Sequence, residues 1–147
     1  HENAQLGRTA CLSAIGRSDE AIAAATALID WHSTKQLEAY YWRAYNERVQ
    51  QHLDRARADI DESKRHGRTQ ENLTLAGVIE YEQGDLAPAL DDLGLAWTLS
   101  SGRNCTAAWY QGLVHVKREA WAQAGEAFNR DVGCFAANVR EDRAGIT

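Results

Sequence analysis

Asp59, Asp61 and Glu62 bring three carboxylates within four positions, a grouping that acid–base catalysis or cation binding could use. The same stretch carries Arg55, Arg57, Lys64 and Arg65, and mixed signs along one helix read as a solvated, ion-paired face. His1, His32, His52, His66 and His115 are scattered without ligand spacing, so no metal site is expected. His115 falls on the packing stripe of its helix and reads as a core histidine. The sequence has no glycine-rich phosphate loop, nucleophile elbow or paired-histidine helix motif. The expectation is a chain that is not an enzyme and uses no cofactor. The basic run Lys64-Arg65-His66-Gly67-Arg68 is short and flanked by acids. With a net charge of −5, it argues against a nucleic-acid partner.

The cysteines carry a second kind of chemistry. Cys105 opens one predicted helix and Cys134 closes the next, and two antiparallel helices of similar length return to the same end of their hairpin. A disulfide Cys105–Cys134 is therefore within reach, with two half-buried thiols as the alternative. A bond there would place the protein outside a reducing compartment; without it the default expectation is cytoplasmic. Cys11 has no evident partner and reads as core filler.

The elements that hold these residues are set by a repeat. Ala21, Ala56, Ala89 and Ala124 recur at intervals of 35, 33 and 35. Twelve residues before the last three stand Ala44, Gly77 and Gly112, with Thr9 at that place in the first unit. Four residues after each alanine come Ala25, Ile60, Leu93 and Phe128. A period in this range predicts helical hairpins stacked in a row. The small residues of each first helix should face those of its second, and the bulkier residues should fill space toward the next hairpin. Units of roughly 2–33, 37–68, 70–101 and 105–136 follow, with a tail over 137–147, all in one domain spanning 1–147.

Local signals agree. Asn72–Gln83 and Leu86–Leu99 read as helices, broken at Gly84-Asp85, with Asp85 as the cap and Pro88 harmless in the first turn. Ser18 is the expected cap after Gly16-Arg17. Gln51–Asp54 and Lys117–Trp121 are the corresponding turns, and Trp31–Lys35, His66–Gln70 and Ser100–Cys105 are polar joints. The longest largely apolar stretch, Ala21–Ile29, is nine residues including Thr26 and too short to span a membrane. The sequence contains no methionine, so His1 is not taken as the native start and a removed targeting segment stays open.

The segment Leu73–Leu90, with its Gly84-Asp85 turn, Gly77, Ala89 and the later Ala96, resembles the tetratricopeptide repeat. Arg17-Ser18-Asp19-Glu20-Ala21-Ile22 resembles the same turn and second-helix start. Ser63 and Asp131 depart from the pattern, and the closing proline is missing throughout. The resemblance implies an all-α, right-handed α-solenoid of about four helix-turn-helix hairpins, with Phe135–Thr147 as a capping helix or the start of a further repeat. It also implies that first helices line a concave groove. In this chain the groove places are Tyr41, Trp42, Tyr45, Arg48 and Val49, then Thr74, Leu75, Val78, Tyr81 and Glu82, then Trp109, Tyr110, Leu113, Val116 and Lys117. Tyr41, Tyr45 and Tyr110 replace the cations and asparagines of a carboxylate clamp, which argues against an acidic peptide C-terminus as ligand.

Exposed aromatic rings of this kind suit a protein or peptide ligand, whether an apolar helix or an extended proline-bearing segment. The expected function is a non-catalytic interaction module. The alternative is a structural or oligomerising segment whose groove is filled by its own chain or a second copy.

Overall fold

A computed structural model describes residues 1–145, with side chains through residue 141. Among these residues the chain is all-α. Its helices are α1 Glu2–Ala14, α2 Ser18–Asp30, α3 Gln36–Val49, α4 Leu53–His66, α5 Gln70–Gln83, α6 Leu86–Leu99, α7 Cys105–Lys117 and α8 Trp121–Gly145. Successive helices pair as hairpins, α1 with α2, α3 with α4, α5 with α6 and α7 with α8. The chain forms two compact units, residues 1–68 and the part from Thr69 onward. The break falls in the polar joint His66–Gln70, where Gly67 holds φ of +151°.

In the first unit α2 packs on α3, and the first helices α1 and α3 touch directly. In the second unit α6 packs on α7, and α5 touches α7. The small-residue register is the reason the hairpins close. Thr9, Ala21, Ala44, Ala56, Ala89 and Gly112 are buried. A Cβ added at Gly77 would lie 2.5 Å from Leu93 Cγ and 3.3 Å from the Ala89 carbonyl oxygen. At Gly112 it would enter the Phe128 ring. Leu93 and Phe128 therefore sit on the glycines of their own hairpins, and Leu93 also joins the core cluster that includes Ala107 and Val114 of α7, the next hairpin. Helices this close leave a notch opposite each glycine, and the large side chain one turn past the alanine fills it.

The turns inside the hairpins repeat as well. Gly16, Gln51, Gly84 and Glu119 have φ of +78°, +64°, +80° and +58°. Each sits shortly after a first helix in the left-handed conformation that reverses the chain. Ser18 is not the cap of α2: it is already helical, Arg17 occupies the N-cap position, and Arg17 Nε donates to Glu20 at 2.6 Å. Asp85 holds the N-cap position of α6, but its side chain makes no capping hydrogen bond.

Two other expectations change. Cys11 is exposed, because α1 buries the stripe of Thr9 and Leu12 and position 11 falls off it. His115 is half-buried, not a core residue. Burial, then Arg118 and Arg130, hold its imidazole below the usual range.

Candidate functional site: the first-helix faces

In the first unit, α3 presents Tyr41, Trp42 and Tyr45 half-buried on the side where it meets α1. Trp42 meets both tyrosines edge-on, at centroid distances of 5.2 Å to Tyr41 and 5.7 Å to Tyr45. Such T-shaped pairs match the positive edge of one ring to the negative face of another, which fixes the rings without filling the space beside them. α1 contributes the small residues Ala10, Ser13 and Ala14, and together the six residues line a cleft of about 190 Å³. Asn46 holds the two helices together behind it: its Nδ2 donates to Ser13 Oγ at 2.7 Å and to the Trp42 carbonyl at 2.8 Å. Arg48 is half-buried one turn further along α3, and Val49 is 51% exposed.

The second unit builds the same face differently. Tyr81 and Tyr110 meet edge-on at 5.6 Å. Lys117 Nζ sits 3.9 Å from the Tyr81 ring centroid and donates to the Tyr81 carbonyl at 3.2 Å. This face already holds its own cation. Leu113 is half-buried. Trp109 is 46% exposed, with its ring 5.0 Å from Phe128 of α8, so it serves the α7–α8 hairpin as well as the surface.

Leu75 and Val78 are not open groove residues. They are only 6% and 5% exposed. α5 is buried without a break from Leu75 to Glu80, so the side of the helix that carries Leu75 and Val78 is covered as well as its packing stripe.

Sequence reasoning missed the α1 side of the cleft and the caps of the second unit. Thr69 and Asn72 form a reciprocal capping box on α5. Asn104 Oδ1 accepts from Ala107 N at 2.9 Å to cap α7, while its Nδ2 donates to Thr74 Oγ1 of α5 at 2.7 Å. The spacing Thr-x-x-Asn was the available signal. Cys105 and Cys134 form a disulfide with Cα atoms 5.5 Å apart, and Asn138 Nδ2 lies 3.2 Å from Cys105 Sγ.

Among the described residues no cluster of His, Cys, Asp or Glu is arranged to hold a metal ion. Asp59 is buried and paired with the half-buried Arg43, whose Nε and Nη2 donate to its two oxygens at 2.7 and 2.8 Å. Asp61 and Glu62 pair with Arg57, Lys64 and Arg65 along α4. No helix among the described residues is long and apolar enough to cross a membrane.

Paired helices, small-residue contacts and left-handed turns at one period define the tetratricopeptide-repeat fold, and solved structures agree. The crystal structure of MamA superposes with a TM-score of 0.83 at 14% identity, covering 95% of this chain and 81% of that one. YrrB, a TPR protein with an unusual peptide-binding site, superposes with a TM-score of 0.74 at 16% identity, covering 88% of this chain and 66% of that one. Neither a family model nor a curated protein matches the sequence.

Proposed function

We propose that the chain is a non-catalytic protein-interaction module that receives a peptide or helix of a partner on its first-helix faces. The observation that carries this reading is the cleft beside Tyr41, Trp42 and Tyr45. Soluble proteins seldom leave several large rings beside an open cleft without a use for them, and Tyr and Trp dominate binding hot spots. At about 190 Å³ the cleft suits one side chain of a partner better than a drug-sized ligand. Tyr81, Tyr110, Leu113 and Lys117 form the corresponding surface of the second unit, with Trp109 at its margin, and Arg48 stands at the margin of the first unit's cleft. YrrB lends support as a peptide-binding protein of the same fold.

The test is a peptide-library screen on the purified chain beside a Trp42→Ala, Tyr45→Ala, Tyr110→Ala variant. Peptides kept by the parent and lost by a folded variant support the reading. Enrichment indifferent to the three substitutions removes it.

A second reading, self-association, has its own observation. Val132 and Phe135 on α8 are 67% and 66% exposed, and α8 offers them to any second copy. Sedimentation at several concentrations decides it: a mass that stays monomeric excludes this reading.

A further inference from the structure

We infer that the Tyr41–Trp42–Tyr45 cleft takes a cationic side chain, the guanidinium or ammonium of an arginine or lysine in the partner segment. The inference rests on the reading of this face as a docking surface, and adds what chemistry it selects.

Ring faces carry the negative lobe of the aromatic quadrupole, and Trp attracts a desolvated cation most strongly. The six lining residues include three rings and no charged side chain. A cation seated against any of these ring faces finds complementary potential, whereas an acidic side chain there would not.

The molecule's own repeat supplies the comparison. Counted from the start of each hairpin, Val49 of α3 stands at the place of Lys117 of α7, and Ser13 of α1 at the place of Tyr81 of α5. In the second unit Lys117 reaches back and lays its ammonium over the Tyr81 ring. In the first unit the serine leaves open space, the lysine is an exposed valine, and α3 supplies the rings instead. Elsewhere Arg43 lies over Tyr40 at 5.5 Å and Arg130 over Trp97 at 5.9 Å, so this chain uses cation–ring contacts repeatedly. Among the described residues neither Trp42 nor Tyr45 has a cation over its ring. In the second unit the cation over the ring is the chain's own, whereas no charged side chain lines the cleft of the first unit.

The experiment follows the Trp42 indole N–H by NMR while the intact protein is titrated with Ac-Gly-Gly-Arg-Gly-Gly-amide or its citrulline counterpart, which keeps the shape and loses the charge. A matched lysine and norleucine pair repeats the comparison. The charged peptides should bind about fivefold or more tighter than the neutral ones. Val49→Lys, at an exposed position, should place an internal cation on the rings and weaken the arginine peptide by a similar factor. Neutral peptides that bind as well as charged ones overturn the cation inference while leaving the docking surface standing. Library-selected peptides that engage Trp42 through apolar residues overturn it in the same way. No Trp42-dependent binding by any peptide removes both.

Discussion

At the place where α5 carries Ala76, α3 carries Arg43, and the two hairpins differ accordingly. The α3–α4 hairpin holds a bidentate Arg43–Asp59 pair, with Glu47 beside it and Arg43 Nη1 reaching Thr26 at 3.3 Å. The second unit centres on Leu73, Ala89, Leu93, Ala96, Ala107 and Val114. It also has side-chain caps on α5 and α7, while no helix of the first unit has one. Charge follows the same division: residues 1–68 hold ten acids and ten bases, residues 69–147 eleven acids and six bases. One backbone register thus accepts either Arg43 or Ala76 at the same interior place, with a buried glutamate (Glu47, Glu80) one turn later in both, because the small-residue contacts, common to both, set the helix spacing.

The sharpest way to break this comparison is Arg43→Met. Asp59 would be left buried without its cation, at a cost of about 3 kcal/mol in the first unit. Adding Asp59→Leu should restore most of the loss, since an apolar pair leaves no buried charge without its partner. If thermal melts show the double variant no better than the single one, the charged interior is specifying the hairpin and not merely filling it.

The disulfide tests the other side. Cys105→Ser should cost about 3 kcal/mol, and a dithiol reductant should bring the parent down to the same level. Cys11→Ser, an exposed thiol in the first unit, should leave the melt unchanged. A Cys105→Ser variant as stable as the parent would show that α7 and α8 hold together without their bond.

Glu47 makes the first unit pH-sensitive. Its carboxyl is pushed up to about 7, first by burial and then by hydrogen bonding to and repulsion from Asp59, against the opposing pull of Arg43 and Arg55. The folded state therefore holds a proton that the unfolded chain releases near the ordinary value of 4.5. The contribution is full below 4.5 and is lost as pH rises through about 7. The melting temperature should fall between pH 5 and 8 in the parent. Glu47→Gln should flatten that slope and gain on the order of 1 kcal/mol at pH 8. An unchanged slope in the variant would assign the pH dependence to other groups.

Much of this was legible in the sequence, and the reason is physical. The closest crossings between helices require small side chains such as Gly, Ala or Thr, so Thr9, Gly77, Ala89 and Gly112 announced the hairpins by type alone. The aromatic half of the cleft was legible for the same reason, since Tyr41, Trp42 and Tyr45 hold periodic places. Its other half was not: Ala10, Ser13 and Ala14 are small residues in the helix least like the repeat, and a small residue lining a space resembles one packed against a neighbour. Leu75 and Val78 show the converse. A place in the repeat assigns a direction from the helix axis and says nothing of what covers it.

The smallest expected effect concerns the turns, where each unit contains its own control. Gly16 and Gly84 adopt positive φ with no side-chain penalty, while Gln51 and Glu119 adopt it at a cost of about 1 kcal/mol or somewhat more for a β-carbon. Replacing either with glycine removes that strain but adds backbone freedom to the unfolded chain, a loss of roughly 0.5–1 kcal/mol. The difference should be a net gain of about 0.5 kcal/mol for Gln51→Gly and for Glu119→Gly, and Gly84→Ala should lose about 1 kcal/mol. Chemical denaturation resolves changes of this size when all three variants share the parent's slope. A gain in both units would mean that the turn is a property of the repeat. A gain in one alone would mean that the side chain at the other turn makes contacts that offset its strain, and that the units differ at their turns as well as in their interiors.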